Sequence, residues 1–258
     1  MQILREIFQY REMITSLVRK DLRGRYKGSV LGFLWTFINP LLQLVVYTTV
    51  FSVILRAGID KYYLFLFVAL IPWIFFANSL SGGAGLIIQE KNLVTKIYFP
   101  REVLPIALVT GNFVNMLYSF VIVLAAVVLF GDHVNLLAWV ALPLIMVIEY
   151  IFALGCALLA SAVTVYFRDL QHILGIVVMA WQYLTPVLYS ADMVPDELMP
   201  VFLMNPMTSI IAAYRDVLYY GRFPEMATLV IPCVISVVVC LVGAVVFRKL
   251  QRGFAEEL

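Results

Sequence analysis

Residues 104–130 read LPIALVTGNFVNMLYSFVIVLAAVVLF and contain no aspartate, glutamate, lysine, arginine or histidine. An α-helix rises about 1.5 Å per residue, and about 20 residues suffice to cross the hydrocarbon core of a bilayer. The run is therefore long enough to cross a membrane and carries no charge that lipid would exclude. It predicts a membrane-spanning helix.

Four further apolar runs share this character, at residues 30–55, 62–80, 136–165 and 228–247. A sixth run, at 173–189, is shorter, and Pro186 interrupts its end. The chain of 258 residues is 63% hydrophobic and only 13% charged, whereas soluble domains carry about 25% charged residues. We therefore expect an all-α integral membrane protein with six transmembrane helices.

The distribution of basic residues predicts the orientation of these helices. If both termini are cytoplasmic, the inner segments hold 14 of the 18 Lys and Arg residues, in agreement with the enrichment of cytoplasmic loops in these residues. We expect one domain over 1–258, with an amphipathic helix at 1–27, a membrane domain at 30–247 and a cytoplasmic tail at 248–258.

The N-terminal segment has apolar residues at helical spacing, including Ile7, Ile14 and Leu17, with basic and acidic residues between them. This pattern predicts an amphipathic helix in the cytoplasmic headgroup layer. Two interpretations stay open. The helix is either an anchor that fixes topology or a platform that also contacts a cytoplasmic partner.

The segment between the second and third predicted spans, 81–105, is the second informative connection. Gly82, Gly83 and Gly85 are expected to loosen the end of the second span. Residues 86–99 then predict a short amphipathic helix that Pro100 stops, because the residue before a proline is disfavoured in the α region. Such a helix is either a solvated connector or an element that inserts into a groove of a soluble protein.

The predicted outer segment 190–225 contains a third helix. Asn205 is a candidate N-cap, Pro206 suits the first helical position, and Gly221 is a stop signal. The helix would be roughly 20 Å long, which is too short to span a bilayer. We expect a re-entrant or interfacial helix at the outer mouth.

Enzyme motifs are missing from the sequence. It has no G-x-x-x-x-G-K-[ST] phosphate loop, no H-E-x-x-H and no nucleophile elbow. The carboxylates are scattered, which disfavours a membrane glycosyl- or phosphotransferase, and the cysteines and histidines lack metal-ligand spacing. We predict no catalytic residue, no metal and no cofactor on this chain, and the net charge of +2 gives no reason to expect nucleic acid.

Glu149 is the one ionisable residue near the middle of a predicted span. Ion-coupled carriers place such groups at mid-membrane, but a single acid is weak support for that class. The residue either makes a polar contact with a neighbouring helix, a partner chain or a hydroxylated substrate, or is a protonated structural residue.

Several motifs resemble one family, in the family's order along nearly the whole chain. They are GRYKGSVLGFLWTFINP (24–40), IPWIFFANS (71–79), LVTKIYFPREVLP (93–105), YFRDL (166–170), TPVLY (185–189) and NPM (205–207). Together they resemble type-2 ABC exporter permeases for polysaccharides, especially the subfamily that exports O-antigen and wall teichoic acid.

The resemblance implies a homodimer of this subunit with two copies of a soluble ATPase, on which ATP and Mg would bind. It implies a glycan linked to a polyprenyl diphosphate as substrate, with membrane lipids around the complex. The location that it implies is the cytoplasmic, or inner, membrane of a bacterium. Export of a lipid or a drug is the alternative within the wider family.

The resemblance also assigns expected roles to residues. The expected ATPase-coupling residues are Glu90, Lys91, Asn92, Lys96, Phe99, Pro100 and Arg101. The expected interface-helix residues are Arg11, Arg19, Asp21 and Arg23. The expected outer-gate residues are Asn205, Pro206, Tyr214 and Arg215.

The aromatic residues allow two interpretations, since Trp and Tyr form interfacial belts but also stack on sugars. A polysaccharide needs a path lined by rings and polar groups, because an apolar wall would leave its hydroxyls unpaired. The expected path residues are Trp35, Phe37, Tyr47, Glu149, Tyr183 and Tyr189.

Overall fold

The computed structural model describes residues 8–26, 28–56 and 58–258, and every regular element in those ranges is helical. The helices are α1 (Arg11–Tyr26), α2 (Trp35–Thr48), α3 (Tyr62–Gln89), α4 (Lys91–Lys96), α5 (Val103–Phe130), α6 (Leu142–Tyr166), α7 (Leu170–Tyr183), α8 (Met199–Met204), α9 (Pro206–Leu218), α10 (Met226–Leu250) and α11 (Phe254–Glu257). A π-helical turn, Thr49–Ile54, extends α2. The start of the predicted N-terminal helix, including Ile7, lies outside the described residues.

Five helical segments of the described chain are long and apolar enough to cross a membrane. They are Gly32–Ile54, Tyr62–Gln89, Val103–Phe130, Ala138–Tyr166 and Met226–Glu257. The sixth apolar run forms α7, whose 14 residues extend only about 21 Å at the usual rise per residue. The all-helical membrane fold is confirmed, while the sixth span and the orientation stay predictions.

Helix α3 is the central element of the bundle. Its side chains are buried along nearly its whole length, as expected for a helix that is apolar on every side. It packs against α2, α5, α6, α7 and α9. Helix α2 is the opposite case, because Leu42, Val45 and Val46 on it are exposed. That apolar surface is available for lipid or for another protein chain.

Small residues let α6 approach α10 and α3 closely. A Cβ atom on Gly155 would lie 2.6 Å from the Cys240 backbone nitrogen, and one on Gly243 would lie 2.6 Å from the Gly155 carbonyl oxygen. A Cβ atom on Gly83 would lie 3.0 Å from the Ala157 Cα atom. The helix backbones are therefore in direct contact, as small residues permit between membrane helices.

The expectation that glycines loosen the end of the second span is wrong. Helix α3 continues through Gly82, Gly83 and Gly85 to Gln89. Gly83 is used for close packing on α6, and this packing holds the helix together where its intrinsic propensity is low.

The structure also differs from the prediction of one short helix at 86–99. Residues up to Gln89 belong to α3, and after Glu90 the separate helix α4 covers only Lys91–Lys96. Ile97 is extended, with φ −125° and ψ 134°. The helix therefore ends three residues before Phe99, while Pro100 precedes the turn into α5.

The predicted outer helix is present as α9. The Asn205 side chain accepts a hydrogen bond from the Met207 backbone nitrogen at 3.1 Å, and Pro206 is the first helical residue. The helix ends at Leu218, and Gly221 follows with φ +64°. The short helix α8 precedes it, so two helices too short to span lie between α7 and α10.

Candidate functional site

A cavity of about 540 Å³ lies between α2, α3, α5 and α7. We call it the amide cavity because carboxamide side chains from all four helices line it. These are Asn39, Gln43, Asn78, Asn112, Asn115 and Gln182. The hydroxyls of Thr36 and Ser119 and the rings of Trp35, Trp73 and Phe75 complete much of the wall.

The chemistry of this wall is unusual for a membrane domain. A carboxamide donates and accepts hydrogen bonds, as does a sugar hydroxyl, and an aromatic ring offers a flat apolar face. Among the described lining residues Arg25 is the only one of a charged residue type. The amide cavity is therefore suited to neutral, hydroxyl-rich ligands rather than to a metal ion or a strongly charged one.

Arg25 lies where α1 meets the amide cavity. Its Nη2 atom donates to Asn112 Oδ1 at 2.6 Å and pairs with Asp21 Oδ2 at 2.8 Å. Asn112 Nδ2 donates in turn to Ser79 Oγ at 3.2 Å. A chain of polar contacts thus connects α1 through α5 to α3.

The predicted path aromatics occupy different places. Trp35 lines the amide cavity, and its Nε1 donates to Ser29 Oγ at 2.9 Å. Phe37 packs edge-on against Phe33, and Tyr47 packs against the main core. The Tyr189 hydroxyl donates to the Tyr183 carbonyl at 2.7 Å.

Of these aromatics, then, the structure places Trp35 alone in the cavity wall. The path role of Phe37, Tyr47, Tyr183 and Tyr189 stays a prediction.

Glu149 joins two helices. It is fully buried in α6, and its Oε2 atom accepts a hydrogen bond from the Tyr214 hydroxyl of α9 at 2.7 Å. Its Oε1 atom has no hydrogen-bond partner among the described residues. The residue lies outside the amide-cavity wall, so its contact is with a neighbouring helix rather than with this space.

Arg215 of α9 binds backbone carbonyls. Its side chain is buried, with 5% of the residue exposed. Nη1 donates to the Pro186 carbonyl at 2.5 Å and Nη2 to the Val187 carbonyl at 2.7 Å. The guanidinium carbon lies 3.5 Å from the centre of the Phe65 ring. Charge-assisted bonds of this kind are stronger than neutral ones, so Arg215 fixes the segment that follows α7.

Asn205 and Tyr62 hold the same segment. Asn205 Oδ1 accepts from Trp181 Nε1 at 3.1 Å, and Asn205 Nδ2 donates to Thr185 Oγ1 at 2.8 Å. The Tyr62 hydroxyl donates to the Leu188 carbonyl at 2.7 Å. Residues 184–189 are therefore fixed to α3 and α9 from several sides.

Loops at the same end of the bundle are also tied together. Lys61 forms an ion pair with Asp132, and this hydrogen bond raises the pKa of Lys61 above its ordinary value. The Tyr219 hydroxyl donates to the Asp60 carbonyl at 2.5 Å. At Gly221 a side chain would collide with the His133 carbonyl, so the turn after α9 requires glycine for space as well as for its positive φ.

The expected coupling residues lie at the opposite end. Lys91, Asn92 and Lys96 are exposed on α4, whereas Phe99 is buried against Val94 and the C-terminal helices. Pro100 and Arg101 line a cavity of about 730 Å³ beside Tyr98, which is 98% exposed.

Ion pairs connect this end of the bundle. Glu102 accepts from Arg248 Nε and from Gln251 Nε2, both at 3.1 Å. Glu90 pairs with Lys20 of α1 at 3.4 Å. Residues 90–102 are thus attached both to α1 and to the C-terminal part of the chain.

The expected interface residues share α1. Arg11, Arg19 and Arg23 are exposed. Asp21 faces α5, where Gly111 leaves room for its carboxylate, since a Cβ there would lie 2.9 Å from Asp21 Oδ2. In the part of the chain that the structure describes, no cluster of His, Cys, Asp or Glu could hold a metal ion.

Helices long enough to span a membrane enclose an amide-lined cavity, and charged amphipathic helices lie at one end of the bundle. These features define the class of multi-pass membrane transport subunits. The chain belongs to the ABC-2 type transporter family, which it matches over residues 12–219.

Named relatives cover nearly the whole chain. It is 36% identical over 263 residues to the O-antigen export system permease protein RfbA of Myxococcus xanthus, covering 100% of this chain and 99% of that protein. An RfbA of Klebsiella pneumoniae is 32% identical over 248 residues, covering 96% and 95%. The polysialic acid transport protein KpsM of Escherichia coli is 20% identical over 244 residues, covering 93% and 94%.

Proposed function

We propose that this chain is the transmembrane subunit of an ATP-driven exporter that moves a polysaccharide across the inner membrane. The named relatives export O-antigen or transport polysialic acid. The amide cavity is the observation that carries the proposal for this chain, because its wall presents donors, acceptors and rings in the combination that a sugar needs.

Energetics explain why such a wall is needed. A hydroxyl transferred from water without a new hydrogen bond costs about 1–3 kcal/mol by protein mutational measures. A polymer brings many hydroxyls into the membrane at once, so that an apolar conduit would be impassable. Carboxamides spread over four helices offer repeated weak contacts, which permit continuous movement.

The proposed assembly contains two copies of this chain and two copies of a soluble ATPase. The amide cavity of one chain measures only about 540 Å³, which is the size of a small-ligand pocket. The exposed apolar side chains of α2, beside the cavity, suit a second copy. The sequence carries no phosphate loop, so ATP and Mg would bind the ATPase.

Coupling would use the end of the bundle that carries α4. The proposed contact surface on the ATPase side consists of the exposed residues of α4 and the basic face of α1. This end would face the cytoplasm, and residues 184–225 would form the outer gate. The proposed substrate is a glycan attached to a polyprenyl diphosphate.

The test is to replace Gln182, which lines the amide cavity, with leucine. The matched control is Gln171→Leu, on the same helix but outside that wall. Both variants are expressed in cells that lack the native subunit, and surface polysaccharide is measured per inserted protein.

We expect export by Gln182→Leu to fall about tenfold, the effect of one lost hydrogen bond of about 1.4 kcal/mol, while the control exports normally. Normal export by Gln182→Leu, Asn78→Leu and Asn39→Leu would refute the amide cavity as the path. Export of a lipid or drug, with no polysaccharide, would refute the substrate class.

A further inference from the structure

A second space adjoins the amide cavity on the side of α1. It measures about 370 Å³ and lies between α1, α3 and α5. We call it the leucine cavity because Leu17, Leu86, Leu104 and Leu108 line it. Its wall also contains the polar side chains of Lys20, Gln89 and Glu90, so hydroxyl groups can form hydrogen bonds there. Arg25 is in the wall of both cavities. Its side chain therefore stands between an amphipathic space beside α1 and the polar interior of the bundle.

The guanidinium is held in this position by two partners of different kinds. Asp21, one turn earlier on the same helix, binds it through both Nε and Nη2, at 2.9 Å and 2.8 Å. Asn112, on α5, accepts its Nη2 proton at 2.6 Å. The Asp21 carboxylate is part of α1 and moves with it, whereas the Asn112 carboxamide is part of α5.

Because the two partners belong to different elements, the contact between Arg25 and Asn112 can break with little loss of free energy. If α1 moves away from α5, Arg25 keeps its ion pair with Asp21, and Asn112 keeps its bond to Ser79 at 3.2 Å. Neither Arg25 nor Asp21 loses its ionic partner, so the motion avoids the large cost of an isolated charge away from water. The side chain of Arg25 is 26% exposed, so water can replace the lost contact.

The segment after α1 permits such a motion. Gly28 has φ +83°, in the region that favours glycine, and the space around it is open. Gly28 follows Arg25 in the chain, so a rotation at Gly28 moves Arg25 together with Asp21 and the rest of α1.

We propose that Arg25 is a gate between the leucine cavity and the amide cavity, opened when α1 is displaced from α5. The gate rests on the proposed function, since its cargo is the hydroxyl-rich polymer that enters the amide cavity. Once withdrawn from Asn112, the guanidinium can offer its N–H donors to passing hydroxyls. Arg25 thus controls admission of the polymer.

The test measures access to the amide cavity and is independent of export. Asn78, in the cavity wall, is replaced with cysteine in a chain whose three native cysteines are replaced with serine or alanine. The complex with its ATPase is placed in inside-out vesicles, and labelling by a charged maleimide is timed. We expect Arg25→Gln to accelerate labelling about tenfold, because it removes the charge-assisted bond to Asn112.

Asn112→Asp should have the opposite effect, since a carboxylate holds the guanidinium more strongly. Labelling and export should both slow several-fold. Asn115→Asp is the matched control, because it puts the same charge into the same wall one turn along α5. It should slow labelling much less. Where Arg25→Gln inserts poorly, Arg25→Lys replaces it and should accelerate labelling to a smaller degree.

Equal labelling rates in the parent, Arg25→Gln or Arg25→Lys, and Asn112→Asp would overturn the gate. Equal slowing by Asn112→Asp and Asn115→Asp would also overturn it, because charge alone would then be the cause. Failure of the proposed function has a different signature, which is normal export when the amide-cavity wall is changed at Gln182, Asn78 and Asn39.

Discussion

The Tyr214 hydroxyl donates to Glu149 Oε2 at 2.7 Å, between two side chains that are both completely buried. This bond joins α9, a helix too short to span, to α6, which is long enough to do so. A buried carboxyl group with a single donor is sensitive to the loss of that donor. The stability that this hydrogen bond contributes therefore reports how strongly α9 is attached to α6.

Removing the hydroxyl should destabilise the protein. Tyr214→Phe leaves Glu149 without its hydrogen bond, and a buried polar group without a partner costs about 1–3 kcal/mol. Thermal unfolding of the detergent-solubilised protein should shift to lower temperature. Tyr220→Phe, at a residue that is 41% exposed, should leave the transition unchanged. An unchanged transition in Tyr214→Phe as well would mean that the pair contributes nothing to stability.

Arg215→Lys should loosen the segment after α7. A lysine ammonium is a single point donor and cannot reproduce the fork that reaches the Pro186 and Val187 carbonyls. Hydrogen exchange of the backbone amides at 184–189 should accelerate at least tenfold, while exchange in α3 stays slow. Arg222→Lys, at an exposed arginine that pairs with Asp216, is the control and should match the parent. Unaltered exchange in Arg215→Lys would contradict the role assigned to Arg215.

Reversing the charge at Glu90 should separate ATP hydrolysis from export. Glu90→Lys breaks the pair with Lys20 at 3.4 Å, which joins α1 to the residue between α3 and α4. Exposed pairs contribute about 0–1 kcal/mol to stability, so insertion should be normal. The reconstituted complex should hydrolyse ATP but export several-fold less polysaccharide.

The charge swap Lys20→Glu with Glu90→Lys restores an attractive pair in the same place and should recover export. Recovery would assign the defect to the pair rather than to either side chain. If Glu90→Lys exports at the parental rate per ATP hydrolysed, the pair has no part in coupling.

Two glycine substitutions should have opposite effects. Gly155→Ala puts a methyl group 2.6 Å from the Cys240 nitrogen and forces α6 away from α10. Overpacking of this kind costs about 1–3 kcal/mol. Gly175→Ala, within α7, meets no atom within 4 Å and should be neutral or stabilising by up to about 1 kcal/mol through helix propensity. Unfolding temperatures measure both, and equal values would contradict the close contact.

The sequence predicts the main helices because a helix that crosses lipid needs a continuous apolar run, and such a run is visible in the local sequence. Each spanning run is continuous, so hydropathy alone locates it. The cap of α9 was equally local, since Asn205 and Pro206 are adjacent and the bond runs only to Met207. Where the residues that determine an element lie within a few positions of each other, the local sequence predicts that element.

The amide cavity was missed because its residues come from four helices. A usable signal was present within two of them. Asn112 and Asn115 are three residues apart on α5, and Asn39 and Gln43 are four apart on α2, so each pair shares a helix face. Polar pairs on one face of an apolar helix indicate a polar space, but which helices meet there depends on tertiary packing.

Two further features depend on partners distant in sequence. Arg215 lies in the predicted outer segment, yet it is buried because carbonyls some 30 residues earlier accept its hydrogen bonds. Gly83 was expected to loosen α3, yet it serves contact with Ala157 on α6. The charge of Arg215 and the low helix propensity of Gly83 are local properties, but in both cases contacts distant in sequence determine where the residue lies and what it contacts.

Arg215 recognises only main-chain oxygens in residues 186–189. Every amino acid supplies the same carbonyl, so the attachment does not depend on which side chains this segment carries. Val187 and Leu188 are themselves buried in the main core, so replacements that keep their apolar volume would leave the attachment to α9 in place. The connection between this segment and α9 can therefore be inherited unchanged while the side chains of the segment vary within the limits set by core packing.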